Sequence, residues 1–217
     1  MTQGFLVLLA SYLLGAVPFG LLMAKVLKGV DLRNVGSGNI GATNAMRVLG
    51  KPLGIVAFLL DLAKGFVPTM FLADLAPALD EIAPSLAASL CGIAAVLGHC
   101  FPVYLGFKGG KGVATGLGAV FGVDWRVCVV AGLVWVVTLY SSRFVSLASI
   151  AMGVAFPVAA AVFQPKAIPF VVACALLMTL IIARHRPNLR RLRAGTEPRI
   201  GKKDPPTRLD GAEESLP

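Results

Sequence analysis

Long apolar runs separated by short polar stretches set the plan of this chain. Seven stand out: Phe5–Ala24, Leu53–Leu75, Pro84–Leu105, Val113–Val123, Trp125–Tyr140, Phe144–Phe163 and Ile168–Ala183. Most approach the ~20 residues that carry a helix across a bilayer. Val113–Val123 would cover only roughly 16 Å at 1.5 Å per residue, which predicts a half-buried helix or a thinned region there. The pattern therefore predicts an all-α integral membrane protein: a seven-span helical bundle with some short or broken spans. Residues 1–200 read as a single membrane-embedded domain, and residues 201–217 as a polar, disordered C-terminal tail. No internal repeat is visible, which argues against a transporter built on inverted repeats.

Composition agrees with the pattern. The 217 residues are 57% hydrophobic and only 14% charged, with a mean hydropathy of +0.81, and no soluble domain of this size is so apolar. The four cysteines, Cys91, Cys100, Cys128 and Cys174, lie in apolar runs without CxxC spacing and read as inert thiols. No basic residue precedes the first run and no small-residue cleavage site follows it, so it reads as a retained span.

The net charge of +9 bears on partners and topology. Its basic residues are shared among loops and a tail rather than gathered on one face, which excludes a nucleic-acid footprint and favours anionic lipid and phosphorylated substrates. With all seven runs crossing and the N-terminus outside, seventeen of the twenty Lys and Arg residues are cytoplasmic. Only Arg126 and Lys166 are then external, and Lys64 lies within a span. Removing Val113–Val123 alone would send the nine basic residues from Arg184 onward outside, against the positive-inside bias.

The polar breaks carry the candidate chemistry. In Gly98–Gly118, Gly106, Gly109, Gly110 and Gly112 surround Lys108 and Lys111. Glycine lets several backbone N–H groups turn toward one point and lysine adds positive charge, a combination suited to phosphate. It is not a P-loop, which would need Gly at Leu105 and Ser or Thr at Gly112. The bland reading is a basic loop with Gly112 and Gly116 as a helix contact. The first loop, Val35–Lys51, has a tight turn at Gly36–Asn39, then a short helix over Asn39–Leu49 on which Thr43, Asn44 and Arg47 can converge on one anion. A turn with a helix cap is the alternative there.

Asp61 and Lys64, spaced i, i+3 inside a span, read as a structural pair because unpaired charge at that depth is costly. Neither histidine has an Asp five residues on, which removes the acyltransferases that use H-x-x-x-x-D. Spacing offers no metal site, and His99 reads as a satisfied, buried histidine. The last span should stop near His185, with an interfacial helix from Asn188 after Pro187, bringing His185 and Asn188 together at the surface. For Arg190, Arg191 and Arg193 the reading is a snorkelling basic anchor.

These motifs resemble the bacterial acyl-phosphate:glycerol-3-phosphate acyltransferases, the PlsY family. The resemblance is carried by GSGNIGATNAMR with DLAKG downstream, GHCFPVYLGFKGGKGVAT, RHRPNLRRLRAGTE and, more weakly, Ser146 in VSLAS. It runs from the first span to about Glu197 and leaves the tail after Gly201 uncovered. It implies a multi-pass enzyme of the bacterial inner membrane with its active site facing the cytoplasm. The reaction implied moves a fatty acyl group from acyl phosphate to the 1-hydroxyl of glycerol 3-phosphate, giving lysophosphatidate and inorganic phosphate without cofactor or metal. An upstream acyl-phosphate-forming enzyme is then a candidate partner.

On that reading Ser37, Arg47, His185 and Asn188 surround glycerol 3-phosphate. Asn39, Thr43, Ser146 and the Gly109–Gly112 backbone hold the acyl phosphate, Lys111 lies between the two, and Lys108 adds charge for the pair of anions. Lys111, Ser37 and His185 are the candidate catalytic residues, with Asp61, Lys64 and Glu197 as structural support. No Ser-His-Asp or Cys-His arrangement is present, so direct attack on an already activated acyl group is expected rather than an acyl-enzyme. The proton is expected to pass to a substrate phosphate oxygen, with His185 bound to an anion. The competing reading is a small anion transporter or channel with a basic cytoplasmic mouth.

Overall fold

The computed structural model describes residues 2–83 and 85–201, and every element in it is helical. The predicted tail lies, apart from Gly201, outside the described residues. Helices α1 (Thr2–Ala16) and α2 (Phe19–Lys28) form one apolar element of 27 residues, broken at Val17–Pro18. Proline lacks the N–H that would continue the ladder, and the Phe19 amide turns back to Val17 O instead. A polar loop leads to α3 (Ala42–Leu49), shorter at its start than predicted because Asn39 belongs to the turn. Helix α4 (Lys51–Val67) opens with Pro52 in its first turn and runs on through a π-helical turn, Pro68–Leu72, and a 3-10 turn, Ala73–Leu75.

After the short α5 (Pro77–Asp80) come α6 (Leu86–Cys100), a 3-10 turn at Val103–Leu105 and the glycine-lysine loop. The remainder is α7 (Val113–Val123), α8 (Trp125–Ser142), α9 (Val145–Phe163), α10 (Ile168–Arg184) and α11 (Arg186–Arg193). Among the described residues, five helical elements are long and apolar enough to cross a membrane, and a sixth if α10 and α11, bent by 56°, count as one. Helix α7 has the predicted bounds and, at 11 residues, is shorter than the five candidate spans.

Helix α1 packs on α6, α3 and α7 on α4, and α8 and α10 on α9. The α4–α7 contact is backbone to backbone. A methyl group on Gly65 would overlap Thr115 O, and one on Gly118 would overlap Leu62 O. Gly116 looks toward Phe156 and Ile181 with ordinary clearance, while Gly112 lies tight against Val96 and Cys100 of α6; of the two predicted contact glycines only Gly112 is closely packed, and α7 meets α4 at Gly65 and Gly118. Val96, Val120, Met152, Phe156 and Ile181 fill the main core between α6, α7, α9 and α10. Outward positions such as Val129, Leu133, Val137 and Val158 are exposed and apolar, as lipid-facing positions are.

At the α7–α8 corner, Asp124 accepts from Arg126 Nη2 at 2.6 Å, from the Arg126 amide at 2.9 Å and from Gln164 Nε2 at 2.8 Å. The Arg126 guanidinium also covers the Phe163 ring at 5.1 Å. This clamp ties the start of α8 to the end of α9, far along α7 from the glycine-lysine loop.

Candidate active site

The glycine-lysine loop is fastened on both sides. Gly106 and Phe107 take left-handed φ values of +58° and +64°, reversing the chain after α6. The Gly109 and Gly110 amides then donate to Cys100 O at 3.2 Å and His99 O at 3.0 Å. Their own carbonyls accept from one guanidinium, Arg184 Nη2 to Gly109 O at 2.7 Å and Nε to Gly110 O at 2.9 Å. A Cβ on Gly110 would run into the His99 ring, so glycine is required there by close approach.

This corrects the expected role of the loop. The Gly109 and Gly110 N–H groups are bonded to the end of α6 and do not point at a ligand. Among the described residues, the backbone amides of Lys111, Gly112, Val113, Ala114 and Thr115 have no acceptor, and these form the open, positive end of a helix. Gly112 itself sits at φ +78°, capping that end.

Lys111 leans from this loop onto the terminal helix, where Nζ donates to Asn188 Oδ1 at 2.7 Å. Burial holds its pKa down to about 8; Glu197 opposes that shift, while Arg191, Arg47 and Arg184 add to it. Asn188 donates its Nδ2 to Glu197 Oε1 at 2.7 Å, and Arg191 Nε donates to Glu197 Oε2 at 2.7 Å. Burial would raise the Glu197 carboxyl, but Ser146, Asn188 and Arg191 together hold it below its ordinary value. Ser146 Oγ lies close enough to contribute, although it is buried without a partner in hydrogen-bond geometry.

His185 occupies the corner between α10 and α11 and is buried. Its Nδ1 lies 2.8 Å from Ile181 O. A carbonyl only accepts, so Nδ1 carries the hydrogen and Nε2 presents a lone pair. Burial first, then the charge of Lys111, lowers its pKa to about 4, against weaker opposition from the Ile181 bond and Glu197. In this tautomer the neutral imidazole offers a lone pair at Nε2, while a phosphate brought beside it would favour the charged form, which donates there instead.

The first loop is organised by Asn44, which is fully buried. Its Oδ1 accepts from the Ser37 amide at 2.9 Å, and its Nδ2 donates to Leu32 O, Val35 O and Asn39 O at 2.9–3.1 Å. Asn44 is thus a scaffold for the turn and has no capacity left for an anion, which corrects the expected Thr43–Asn44–Arg47 convergence. Asn39 Oδ1 accepts from the Gly41 amide at 2.8 Å, leaving its amide nitrogen for other use. Ser37, Thr43 and Arg47 are exposed, and the charge of Arg47 is felt at Lys111. Lys108 is exposed beside the loop.

Beneath the loop, Lys64 Nζ lies 2.8 Å from Asp61 and donates to Val17 O at 2.8 Å, at the break between α1 and α2. Asp61 is also 3.8 Å from His99 Nδ1, which has no hydrogen-bond partner among the described residues. His99 is therefore buried as expected but not satisfied. The pair joins the first span to the floor of the glycine loop, and Arg184, which sequence reasoning assigned no role, closes the loop from above. The sequence signals for it were its place beside His185 at the end of the last apolar run and its position at the head of RHRPNLRRLRAGTE.

The gathering of α3, the α6–α7 loop and α11 at one end of a lipid-facing bundle defines a membrane-embedded enzyme that handles phosphorylated substrates, with no nucleophile–base pair in hydrogen-bond contact among the described residues. Residues 5–195 match the glycerol-3-phosphate acyltransferase family. The chain is similar to the glycerol-3-phosphate acyltransferase of Jannaschia sp. (strain CCS1), 47% identical over 195 residues that cover 89% of this chain and 91% of that protein. That of Aquifex aeolicus (strain VF5) is 48% identical over 197 residues, covering 90% and 98%. The crystal structure of PlsY (YgiH), an integral membrane glycerol 3-phosphate acyltransferase, in its glycerol 3-phosphate form superposes with a TM-score of 0.84 at 44% identity, covering 91% of this chain and 96% of that one. Its lysophosphatidic acid form superposes at 0.82. The chain belongs to the glycerol-3-phosphate acyltransferase family of integral membrane enzymes, the PlsY family.

Proposed function

We propose that this enzyme transfers a fatty acyl group from acyl phosphate to the 1-hydroxyl of sn-glycerol 3-phosphate, releasing lysophosphatidate and inorganic phosphate. The observation that carries the reading is the chain Lys111–Asn188–Glu197, with Arg47 acting on the same lysine. It supplies positive charge at the place where two phosphates must lie side by side. Relatives crystallised in glycerol 3-phosphate and lysophosphatidic acid forms support both the acceptor and the product.

Arg47, Ser37, His185 and Asn188 hold glycerol 3-phosphate, and the free amides at the start of α7, with Asn39, Thr43, Ser146 and Lys108, hold the acyl phosphate. Lys111 bridges the two anions. The 1-hydroxyl oxygen attacks the acyl carbonyl carbon, and the carbon–oxygen bond to phosphate breaks as the tetrahedral intermediate collapses. Lys111 and the α7 amides stabilise the charge that passes to the leaving phosphate. The hydroxyl proton has two acceptors within this arrangement: a phosphate oxygen of the substrate, and His185 Nε2, whose lone pair also orients the hydroxyl. No acyl-enzyme forms.

The positive-inside count supports seven crossings, with the N-terminus outside and this mouth facing the cytoplasm of a bacterial inner membrane. The acyl chain then lies in a groove among the spans, reached from lipid. The deciding experiment offers acyl phosphate, acyl-CoA and acyl carrier protein separately to the purified enzyme with glycerol 3-phosphate. Lysophosphatidate from acyl phosphate alone is expected, and use of either thioester at a comparable rate would overturn the donor assignment.

A further inference from the structure

Helix α11 has two faces with different business. Its inner face carries Asn188, buried, and Arg191, half-buried, both bonded to Glu197. Its outer face carries Arg186, Arg190 and Arg193, spaced i, i+4, i+7 and all exposed. This spacing stacks three guanidinium groups along one stripe. Among the described residues none of the three has an ion-pair partner, whereas Arg191, one position away from Arg190, has Glu197. Arginine forks match phosphate oxygens in bidentate fashion, so the stripe suits a row of phosphates better than a diffuse cloud of counterions.

The location selects the source of those phosphates. Helix α11 begins two residues after α10 ends and departs from it at 56°. Eight residues make a rod about 12 Å long. With α10 as the membrane normal, that rod advances only about 7 Å from the end of the apolar run, against a headgroup layer of about 5–8 Å on each side of the hydrocarbon. All three outward arginines therefore remain at headgroup depth. We infer that the outer face of α11 is a binding site for anionic phospholipid headgroups, so that the helix presenting Asn188 to Lys111 is held on its far side by the membrane.

The test uses the full chain in phosphatidylcholine bilayers with spin-labelled phosphatidylglycerol or phosphatidylcholine as probes. Each basic residue near an anionic surface contributes about fivefold in association. The wild-type protein is expected to retain phosphatidylglycerol over phosphatidylcholine by about fivefold or more, declining as salt is raised. R186Q/R190Q/R193Q is expected to approach parity, and R190Q alone, which changes a single exposed side chain, to fall partway. Undiminished selectivity in R190Q and in the triple variant would overturn the inference. So would loss of selectivity to millimolar inorganic phosphate at constant ionic strength, which would mark a site for soluble anions. Selectivity seen only after deletion of residues 202–217 would likewise overturn it, since the acidic residues there would be the occupant.

Discussion

Asn188 is oriented by Glu197: the carboxylate takes the Nδ2 hydrogen at 2.7 Å, which turns Oδ1 toward Lys111, also at 2.7 Å. A free amide could present either end, and only the oxygen end can receive an ammonium group. The carboxylate thus decides the chemistry of a contact it does not make. Asn188→Asp should place a second carboxylate against Glu197 and undo this order. One lost charge-assisted hydrogen bond is worth about 1.5–3 kcal/mol, so turnover should fall roughly ten- to a hundredfold. Steady-state assays at wild-type rates would show that the amide's orientation is immaterial.

Removing the ammonium itself should cost at least as much. Lys111→Ala is expected to lower turnover on acyl phosphate roughly ten- to a hundredfold or more, by the same charged contact. Near-wild-type turnover would remove Lys111 from the site. Radiolabelled acyl phosphate incubated alone with the wild-type enzyme should leave no label on the denatured protein, and a stable adduct would contradict direct attack.

Activity and stability should respond to alkali with opposite signs. Lys111 falls from the ordinary 10.5 to about 8 on folding, mainly through burial. Its charge, and with it kcat/KM, should decline as pH rises through about 8. Between about 8 and 10.5 the unfolded chain binds the proton that the folded chain has released, so this group's contribution to stability increases with pH. Alkaline inactivation measured alongside thermal unfolding should therefore appear without a fall in Tm from this source. Lys111→Arg, protonated throughout, should move the alkaline limb upward.

Two glycines separate fit from flexibility. Gly110→Ala forces a Cβ into the His99 ring and should abolish most activity and lower Tm, by an overpacking cost of about 1–3 kcal/mol. Gly116→Ala meets only Phe156 and Ile181 at ordinary contact, 3.9–4.0 Å, and should be tolerated. Equal effects of the two in a thermal-shift and activity comparison would refute the packing argument.

At the other end of the bundle, Asp124 caps α8 and holds Gln164. Its pKa is lowered to about 2, first by the Arg126 side chain, with Gln164 and the Arg126 amide adding to that against the effect of burial. A depressed carboxyl stabilises the fold above its unfolded value of 3.8, and that stabilisation disappears as pH falls toward 2. Asp124→Ala should lower stability by about 0.5–2 kcal/mol as a lost cap, with the greatest difference from wild type near neutral pH and little difference in KM. An unchanged melting curve would show that the clamp is decorative.

Most of the scaffold was legible in the chain because lipid imposes one rule on every span. Apolar runs such as Val113–Val123 and Ile168–Ala183 became helices within a residue of their predicted ends. What stayed hidden depended on partners distant in sequence. The break at Pro18 is stabilised by Lys64, 47 residues away from the Val17 carbonyl it caps. Asn44 looked like a ligand because its spacing from Arg47 suits an anion, yet four backbone groups of its own loop claim it. The glycines of the second loop suggested open amides, and no local pattern reveals that the end of α6 takes two of them. Arg184 could not be distinguished from a membrane anchor until Gly109 and Gly110 were seen beside it.

That double fastening of the second loop has a thermodynamic consequence for catalysis. A segment already tied down by two amides below and one guanidinium above loses little freedom when substrate arrives, so the affinity is not taxed by ordering it. The empty and occupied enzymes should share one conformation here, and heat-capacity changes on anion binding should be small. Rate control would then rest with the chemistry or with the passage of the greasy product sideways into the bilayer, rather than with the closing of a flap.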